Sequence, residues 1–328
     1  TLGWAYGFGA AGIGMLIGLA TFLWGQPHLH GFAEPREPAL LKQRGLGPLN
    51  KEWTIYLCGV LAVAVVWQML QFHAVVEATL NTLSLAVLAG LAWFLTQRCN
   101  KVERERMFVL IVLTMSTVVF WALFEQSAAS MTLFADRVLD RNLLGMELTA
   151  AQFGSMNAFF IFTLAPLFAW LWTALARRGL EPTTPVKFAL GIAQAGLGFG
   201  ALVLGASMPD ETGRVAAIWL VLAYMLHTTG ELCLSPVGLS AVTKLAVPSV
   251  VGVMMGAWFL ATAYSEFVAA QISKLAAVPT EDGQVADIAA ALASYTELFD
   301  SLLWVGLGVG AVMLVLSPLL KKLMHGLH

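Results

Sequence analysis

Nine stretches of roughly 20 predominantly apolar residues recur along the chain, and each is long enough to cross the hydrocarbon core of a bilayer. They run at about 4–24, 53–72, 78–97, 107–135, 153–176, 186–208, 215–243, 247–273 and 288–320. Lipid offers no partner to a free backbone N–H or C=O, so such stretches are expected to be helices that close their own hydrogen bonds. Composition agrees: 12% of the 328 residues are charged, about half the share of an average soluble domain. A water-soluble globular enzyme and a disordered chain are both excluded on that ground. The net charge of −2 shows none of the basic bias that nucleic-acid binding requires. Cys58, Cys99 and Cys233 form no C-x-x-C pair and read as small apolar residues, not as disulfide partners or zinc ligands. The fold class is therefore an all-α polytopic membrane bundle.

The first span lacks a basic n-region and is followed by further spans, unlike a cleaved signal peptide. The linkers carry the helix breakers: Pro35, Pro38 and Pro48, then Pro182 and Pro185, Pro209, Pro248, and Pro279 with Gly283. The longest linker, about 25–52, ends at Glu52-Trp53, where an interfacial Trp is expected. Alternating the nine spans sorts the Lys and Arg residues sharply. One side holds Arg36, Lys42, Arg44, Lys51, Arg98, Lys101, Arg104, Arg106, Arg177, Arg178, Lys187, Lys244, Lys321 and Lys322, and the other holds Arg137, Arg141, Arg214 and Lys274. Cytoplasmic loops carry the basic excess, so the sequence predicts an outside start and a cytoplasmic C-terminus. Nine spans is an odd number, and the chain opens inside an apolar segment without Met. Further sequence before Thr1 is expected.

An ionisable side chain within a span costs about 2.5–3.5 kcal/mol on insertion scales and marks a pathway or site by default. Glu125, Glu231, Glu266 and His227 fall inside the runs. His227, Glu231 and Ser235 stand at i, i+4 and i+8, which stacks them along one helix face. Pro236 follows directly, removing a backbone donor at a potential kink, and Gly230 and Gly238 allow bending or close approach. This stripe is either a substrate or proton site on a hinged helix or a hydrogen-bond cluster that glues the bundle. Glu125 shares a face with Thr117 and Trp121. It lies either at a helix end or, because Met131, Leu133 and Phe134 continue the apolar pattern, within the span. Glu266 shares a face with Trp258 and Thr262 in the outer half of its span, as a functional carboxyl or a wet one. Asn157 either binds substrate or links helices. Asp136-Arg137 and Asp140-Arg141 read as surface pairs or as a gate. Gly196, Gly198 and Gly200 read as close helix packing.

Enzyme chemistry finds little footing. His227 and Glu231 could begin a metal site, but no H-E-x-x-H and no third ligand accompany them. No G-x-x-x-x-G-K-[ST] is present, so ATP coupling within the chain is excluded.

Several segments together resemble one family. Phe120-Trp121-Ala122-Leu123-Phe124-Glu125-Gln126, continuing to Leu133-Phe134-Ala135-Asp136-Arg137, is similar to the seventh helix of the proton-dependent oligopeptide transporters, peptide carriers of the major facilitator superfamily. Ser155-Met156-Asn157 resembles their eighth helix. Gly230-Glu231-Leu232-Cys233-Leu234-Ser235-Pro236-Val237-Gly238-Leu239-Ser240 resembles the tenth-helix signature, and Met254-Met255-Gly256-Ala257-Trp258-Phe259-Leu260 the eleventh helix. The resemblance covers essentially the whole chain from helix six onward. It implies a last helix of the first bundle at 1–24, a cytoplasmic loop at 25–52, an inserted helix pair at 53–97 and a second six-helix bundle at 98–328.

What the resemblance implies for function is proton-coupled uptake of di- and tripeptides across a bacterial inner membrane, by alternating access, with the proton gradient as energy source and no cofactor. Glu231 and Asn157 would bind the peptide ammonium, and Glu125 would couple protons. Trp258 and Phe259 would line side-chain pockets, and Ser235 and Trp121 would complete the binding wall. Asp136 and Pro236 would serve gating. The family's E-x-x-E-R-F-x-x-Y motif is absent, and Ser127-Ala128-Ala129-Ser130 replaces the usual Gly-Ser-Ser. The five helices of the first bundle are therefore expected as the missing partner. The competing expectations are another cargo (a drug, a nitrate-like anion, or export) and a membrane-embedded hydrolase using His227 and Glu231.

Overall fold

The computed structural model describes residues 4–29, 37–143, 145–276, 280–281, 284–285 and 287–327. Pro35, Arg36, Pro279 and Gly283 lie outside the described residues. Two compact units divide the chain, Thr1–Val76 and Glu77–His328. Among the described residues, nine helical segments are long and apolar enough to cross a membrane.

The first unit contains α1 (Trp4–Gly25), α2 (Pro38–Leu41), α3 (Lys51–Met69) and the opening turn of α4 (His73–Gln97). Phe8, Ile13, Phe22 and Trp24 of α1 are all exposed. A helix apolar all round and exposed all round is one suited to lipid. Asn50 sets the start of α3 two residues before the apolar run: its side chain accepts the Trp53 N–H at 2.9 Å. Just before it, Gly47 takes φ +61° in the turn, and the Leu46 N–H donates to Thr54 Oγ1 at 3.0 Å.

In the second unit the rest of α4 leads into α5 (Lys101–Phe124). A capping box opens α5 well ahead of its apolar run. Asn100 accepts from the Glu103 N–H at 3.0 Å, and Glu103 accepts from the Asn100 N–H at 2.9 Å. The α-helix ends at Phe124, a 3-10 turn spans Glu125–Ala128, and Ala129 breaks the pattern before α6 (Ser130–Arg137). Both expectations for Glu125 therefore hold in part: the α-helix ends there, while the span continues to Arg137. The remaining elements are α7 (Ala150–Phe153), α8 (Ser155–Arg177), α9 (Thr184–Ala206), α10 (Ala217–Leu245), α11 (Val251–Ser273) and α12 (Ile288–Leu323). Leu139–Asp140 pairs in parallel with Val215–Ala216, tying the end of α6 to the start of α10.

The core is built on α9, which packs most extensively on α12 and α10. Glycines make this possible, since lipid supplies no hydrophobic drive and helices gain by approaching closely. A Cβ on Gly191 would meet the Gly230 carbonyl oxygen at 2.8 Å, and one on Gly196 would meet Gly306 Cα at 3.0 Å. Gly198 makes room for the His227 ring and Gly200 for Leu303. Gly196, Gly198 and Gly200 thus act as packing residues, as their spacing suggested.

Candidate functional site

The site gathers on α8, α10, α11 and the break after α5. Asn157 lies in the first turn of α8. Its Nδ2 donates to Glu231 Oε2 at 3.0 Å and to Thr228 Oγ1 at 3.2 Å, both on α10. Thr228 in turn donates to the Tyr224 carbonyl at 2.7 Å, and the Tyr224 hydroxyl donates to the Ser127 carbonyl at 3.1 Å. One polar chain therefore links α8, α10 and the 3-10 turn that carries Glu125. Asn157 and Glu231 are both half-buried, so the carboxylate retains a face open to a ligand. An amide donor holds that carboxylate without cancelling its charge.

The α-helix break aims Glu125 across to α11. Its carboxyl lies within electrostatic reach of those of Glu266 on α11 and Glu231 on α10. Gln126, fully buried beside it, fixes the break: Nε2 donates to the carbonyls of Ala122 at 3.2 Å and Ala269 at 3.1 Å, and Oε1 accepts from Ser130 at 2.7 Å. Trp121, one turn before Glu125, packs edge-on against Phe120 and Phe124 with ring centroids 5.2 Å from each. Its indole N–H is buried without a partner among the described residues.

The polar stripe on α10 does not act as one surface. Each step of four residues turns a helix by about 40°, and the three side chains part accordingly. His227 is buried at 1% exposure against α9, with Nε2 2.9 Å from the Ala195 carbonyl oxygen and its ring 4.9 Å from that of Phe199. Glu231 turns to Asn157. Ser235 is half-buried one turn further on, and Pro236 is exposed, with α10 running through it unbroken. Among the described residues no three His, Cys, Asp or Glu side chains come together to hold a metal.

Trp258 is buried at 4% exposure, its ring over Gly238 and edge-on to Phe188, whereas Phe259 is 60% exposed. Asp136 pairs not with its neighbour but with Arg141 at 3.0 Å, and Arg137 donates to the Tyr295 hydroxyl at 2.9 Å. Sequence reasoning passed over Thr228, Tyr224 and Gln126. A run of hydroxyl and amide residues inside apolar spans was the available signal.

Comparison with known proteins decides the family. A profile described as POT family matches residues 1–297. The chain belongs to the POT family. It is 34% identical to the uncharacterized transporter YclF of Bacillus subtilis (strain 168), over 99% of this chain and 64% of that protein. It is 34% identical to the peptide transporter YePEPT of Yersinia enterocolitica, over 83% of this chain and 55% of that one. With the dipeptide and tripeptide permease A of Erwinia pyrifoliae the identity is 31%, over 98% of this chain and 63% of the permease. Among solved structures, a peptide transporter POT in complex with sulfate superposes with TM-score 0.70 at 31% identity, covering 99% of this chain and 63% of that one. Tetrameric PepTSo2 gives TM-score 0.74 at 26% identity, covering 98% and 64%. The chain thus has the major facilitator fold of a multi-pass membrane protein, and it spans less than two thirds of the length of each of these relatives.

Proposed function

We propose that the chain is the part of a proton-coupled di- and tripeptide importer that grips the peptide's amino terminus. The observation that carries this reading is the Glu231 carboxylate held by Asn157, half-open and inside a membrane helix. A carboxylate in that setting needs a cation, and an ammonium gives it a charge-assisted hydrogen bond, about twice as strong as a neutral one. The curated relatives support the cargo: one is a peptide transporter and another a dipeptide and tripeptide permease. Residues 98–328 are the second six-helix bundle, 53–97 the inserted pair, 25–52 a cytoplasmic loop and 1–24 the last helix of the first bundle. Five further helices supply the groups that hold the peptide's carboxylate.

Protonation of Glu125, which lies within electrostatic reach of Glu266, is the coupling step. A neutral Glu125 tolerates the closed, drier cavity, and losing the proton to the cytoplasm reopens it as the two bundles rock about the site. Trp121 and Ser235 line the cavity wall, with Trp258 packed behind it over Gly238 and Phe259 facing the first bundle. Asp136 and Pro236 act in gating, Asp136 by exchanging Arg141 for a basic group of the first bundle. The protein is a carrier, not an enzyme, of the bacterial inner membrane, with its C-terminus cytoplasmic. It needs the lipid bilayer, the proton gradient and no cofactor. A nitrate-like anion is disfavoured because Glu231 would repel it, and a hydrolase because His227 is engaged with the Ala195 carbonyl.

Competition binding tests this reading. Dialanine should displace a labelled dipeptide, while N-acetyl-dialanine, which lacks the ammonium, should displace it at least tenfold less well. Equal potency of the two would refute the role of Glu231.

A further inference from the structure

A cavity of about 300 Å³ opens in the second unit between α4, α5 and α11, and no residue placed at the peptide site above lines it. α4 meets the core at Leu91, the buried residue of that helix at 5% exposure. The cavity fills the gap beside that contact, and its wall is mostly apolar. Four polar side chains interrupt the wall: Asn81, Ser84, Thr114 and Tyr264. Thr114 donates to the Leu110 carbonyl at 2.8 Å. Among the described residues, the Asn81 amide and the Ser84 and Tyr264 hydroxyls take part in no hydrogen bond.

The three unsatisfied groups gather at one end. The turn at 98–100 reverses the chain between α4 and α5, and the Gln126 bond to the Ala269 carbonyl sets the end of α5 beside the end of α11. The first half of α4 therefore lies level with the second half of α11, which brings Asn81 and Ser84 to the depth of Tyr264. Leu91 and Met254 stand at the other end, ten residues from Asn81 and Tyr264 along their helices, or about 15 Å. Both helices are spans, and hydrocarbon offers a free amide or hydroxyl no partner. A mostly apolar pocket with a few convergent polar groups is the form that ligand sites take. A volume of about 300 Å³ over about 15 Å leaves about 20 Å² of cross-section, which fits one chain at the roughly 4.0–4.5 Å spacing of apolar contact and not two. No charged side chain lines the cavity, so the head that matches its polar end is neutral.

We propose that this cavity holds a neutral single-chain amphiphile drawn from the bilayer. Its carbonyl or hydroxyl head accepts from the Asn81 amide and the Ser84 and Tyr264 hydroxyls, and its chain runs to Leu91 and Met254. The site is separate from the one that grips the peptide, so the proposal stands whatever the cargo.

The test is photolabelling of the purified full chain in a sterol-based detergent, which has no linear alkyl chain to compete. The probe is a 1-monoacylglycerol with a diazirine near the end of its chain. Labelling should saturate, fall on the peptides that hold Leu91 and Met254, and be displaced by unlabelled monoacylglycerol. Ala261→Phe, which fills the cavity, should abolish it, while Ala263→Phe, at an exposed position on the same helix, should leave it unchanged. Asn81→Leu keeps the cavity and removes one donor, and it should weaken labelling by about five- to tenfold, the loss of one ordinary hydrogen bond. That variant decides the matter if Ala261→Phe does not fold. Labelling that fails to saturate, spreads over the exposed faces of α1 and α8, or ignores Asn81→Leu would overturn the proposal. Equal saturable labelling by a diacyl phosphatidylcholine carrying the same diazirine would overturn it too, since neither one chain nor a neutral head would then be selected.

Discussion

Replacing Gly306 by Ala tests whether backbone contact between α9 and α12 sets the position of the core. A Cβ at Gly306 would meet Gly196 Cα at 2.5 Å and its backbone nitrogen at 2.8 Å. Ordinary contact begins near 3.4 Å, so α9 must retreat by most of an ångström. The obstacle is backbone, which cannot rotate aside as a side chain can. Alanine gains about 0.8–1.0 kcal/mol of helix propensity over glycine, but overpacking costs about 1–3 kcal/mol and sometimes more. The net effect is a destabilisation of up to about 2 kcal/mol. Gly308, on the same helix, is the control. Nothing lies within 4 Å of a Cβ there, so Gly308→Ala should be neutral or slightly stabilising. Thermal unfolding followed by intrinsic fluorescence in detergent reads both variants. A Gly306→Ala midpoint equal to that of Gly308→Ala would refute the argument that these helices meet backbone to backbone.

Three further outcomes follow from single contacts. Asn157→Ala removes the amide that orients Glu231 and should weaken dipeptide binding by about ten- to a hundredfold, the range of one lost bond to a charged group at about 1.5–3 kcal/mol, as measured by calorimetric titration. Gln126→Leu strands the Ser130 hydroxyl and the Ala269 carbonyl, and it should cost about 1–2 kcal/mol in unfolding, near the upper end for polar contacts between membrane helices. Outside the spans, the Thr212 hydroxyl at 2.7 Å, with the Thr212 and Arg214 N–H groups, holds the Asp210 carboxyl below its ordinary 3.8. A depressed carboxyl contributes stability to its loop at neutral pH, and that contribution is lost as pH falls below 3.8 through the folded value. The carboxyl carbon shift should show Asp210 titrating at higher pH in Thr212→Val, and an unchanged titration would count against the hydroxyl as the leading cause.

The spans and their order were legible because intramembrane helices must be apolar over a fixed length, a signal carried by every residue in them. Their starts were less so. Asn50 and Asn100 draw α3 and α5 back into polar sequence by capping, which an apolar-run criterion passes over. The break at Glu125–Ala129 was half legible, since Met131 to Phe134 keep the apolar pattern going after the α-helix has stopped. The link from Asn157 to Glu231 joins residues 74 apart, and the sequence offered only that both were polar within spans. Glu266 could not be assigned from its own helix, because its place depends on how α11 lies against the end of α5. Lys187 counted as a loop charge in the sequence, yet Trp172 and Glu181 bury it.

Gradient-driven uptake is the most direct test of the central claim. The chain, joined to the five first-bundle helices proposed above, would be reconstituted in liposomes with an inward proton gradient and given labelled dialanine. Wild type should accumulate intact peptide, a protonophore should abolish the accumulation, and Glu231→Gln should reduce it to the level of empty liposomes. Uptake indifferent to the protonophore, undiminished uptake by Glu231→Gln, or recovery of free alanine in place of the dipeptide would contradict the account.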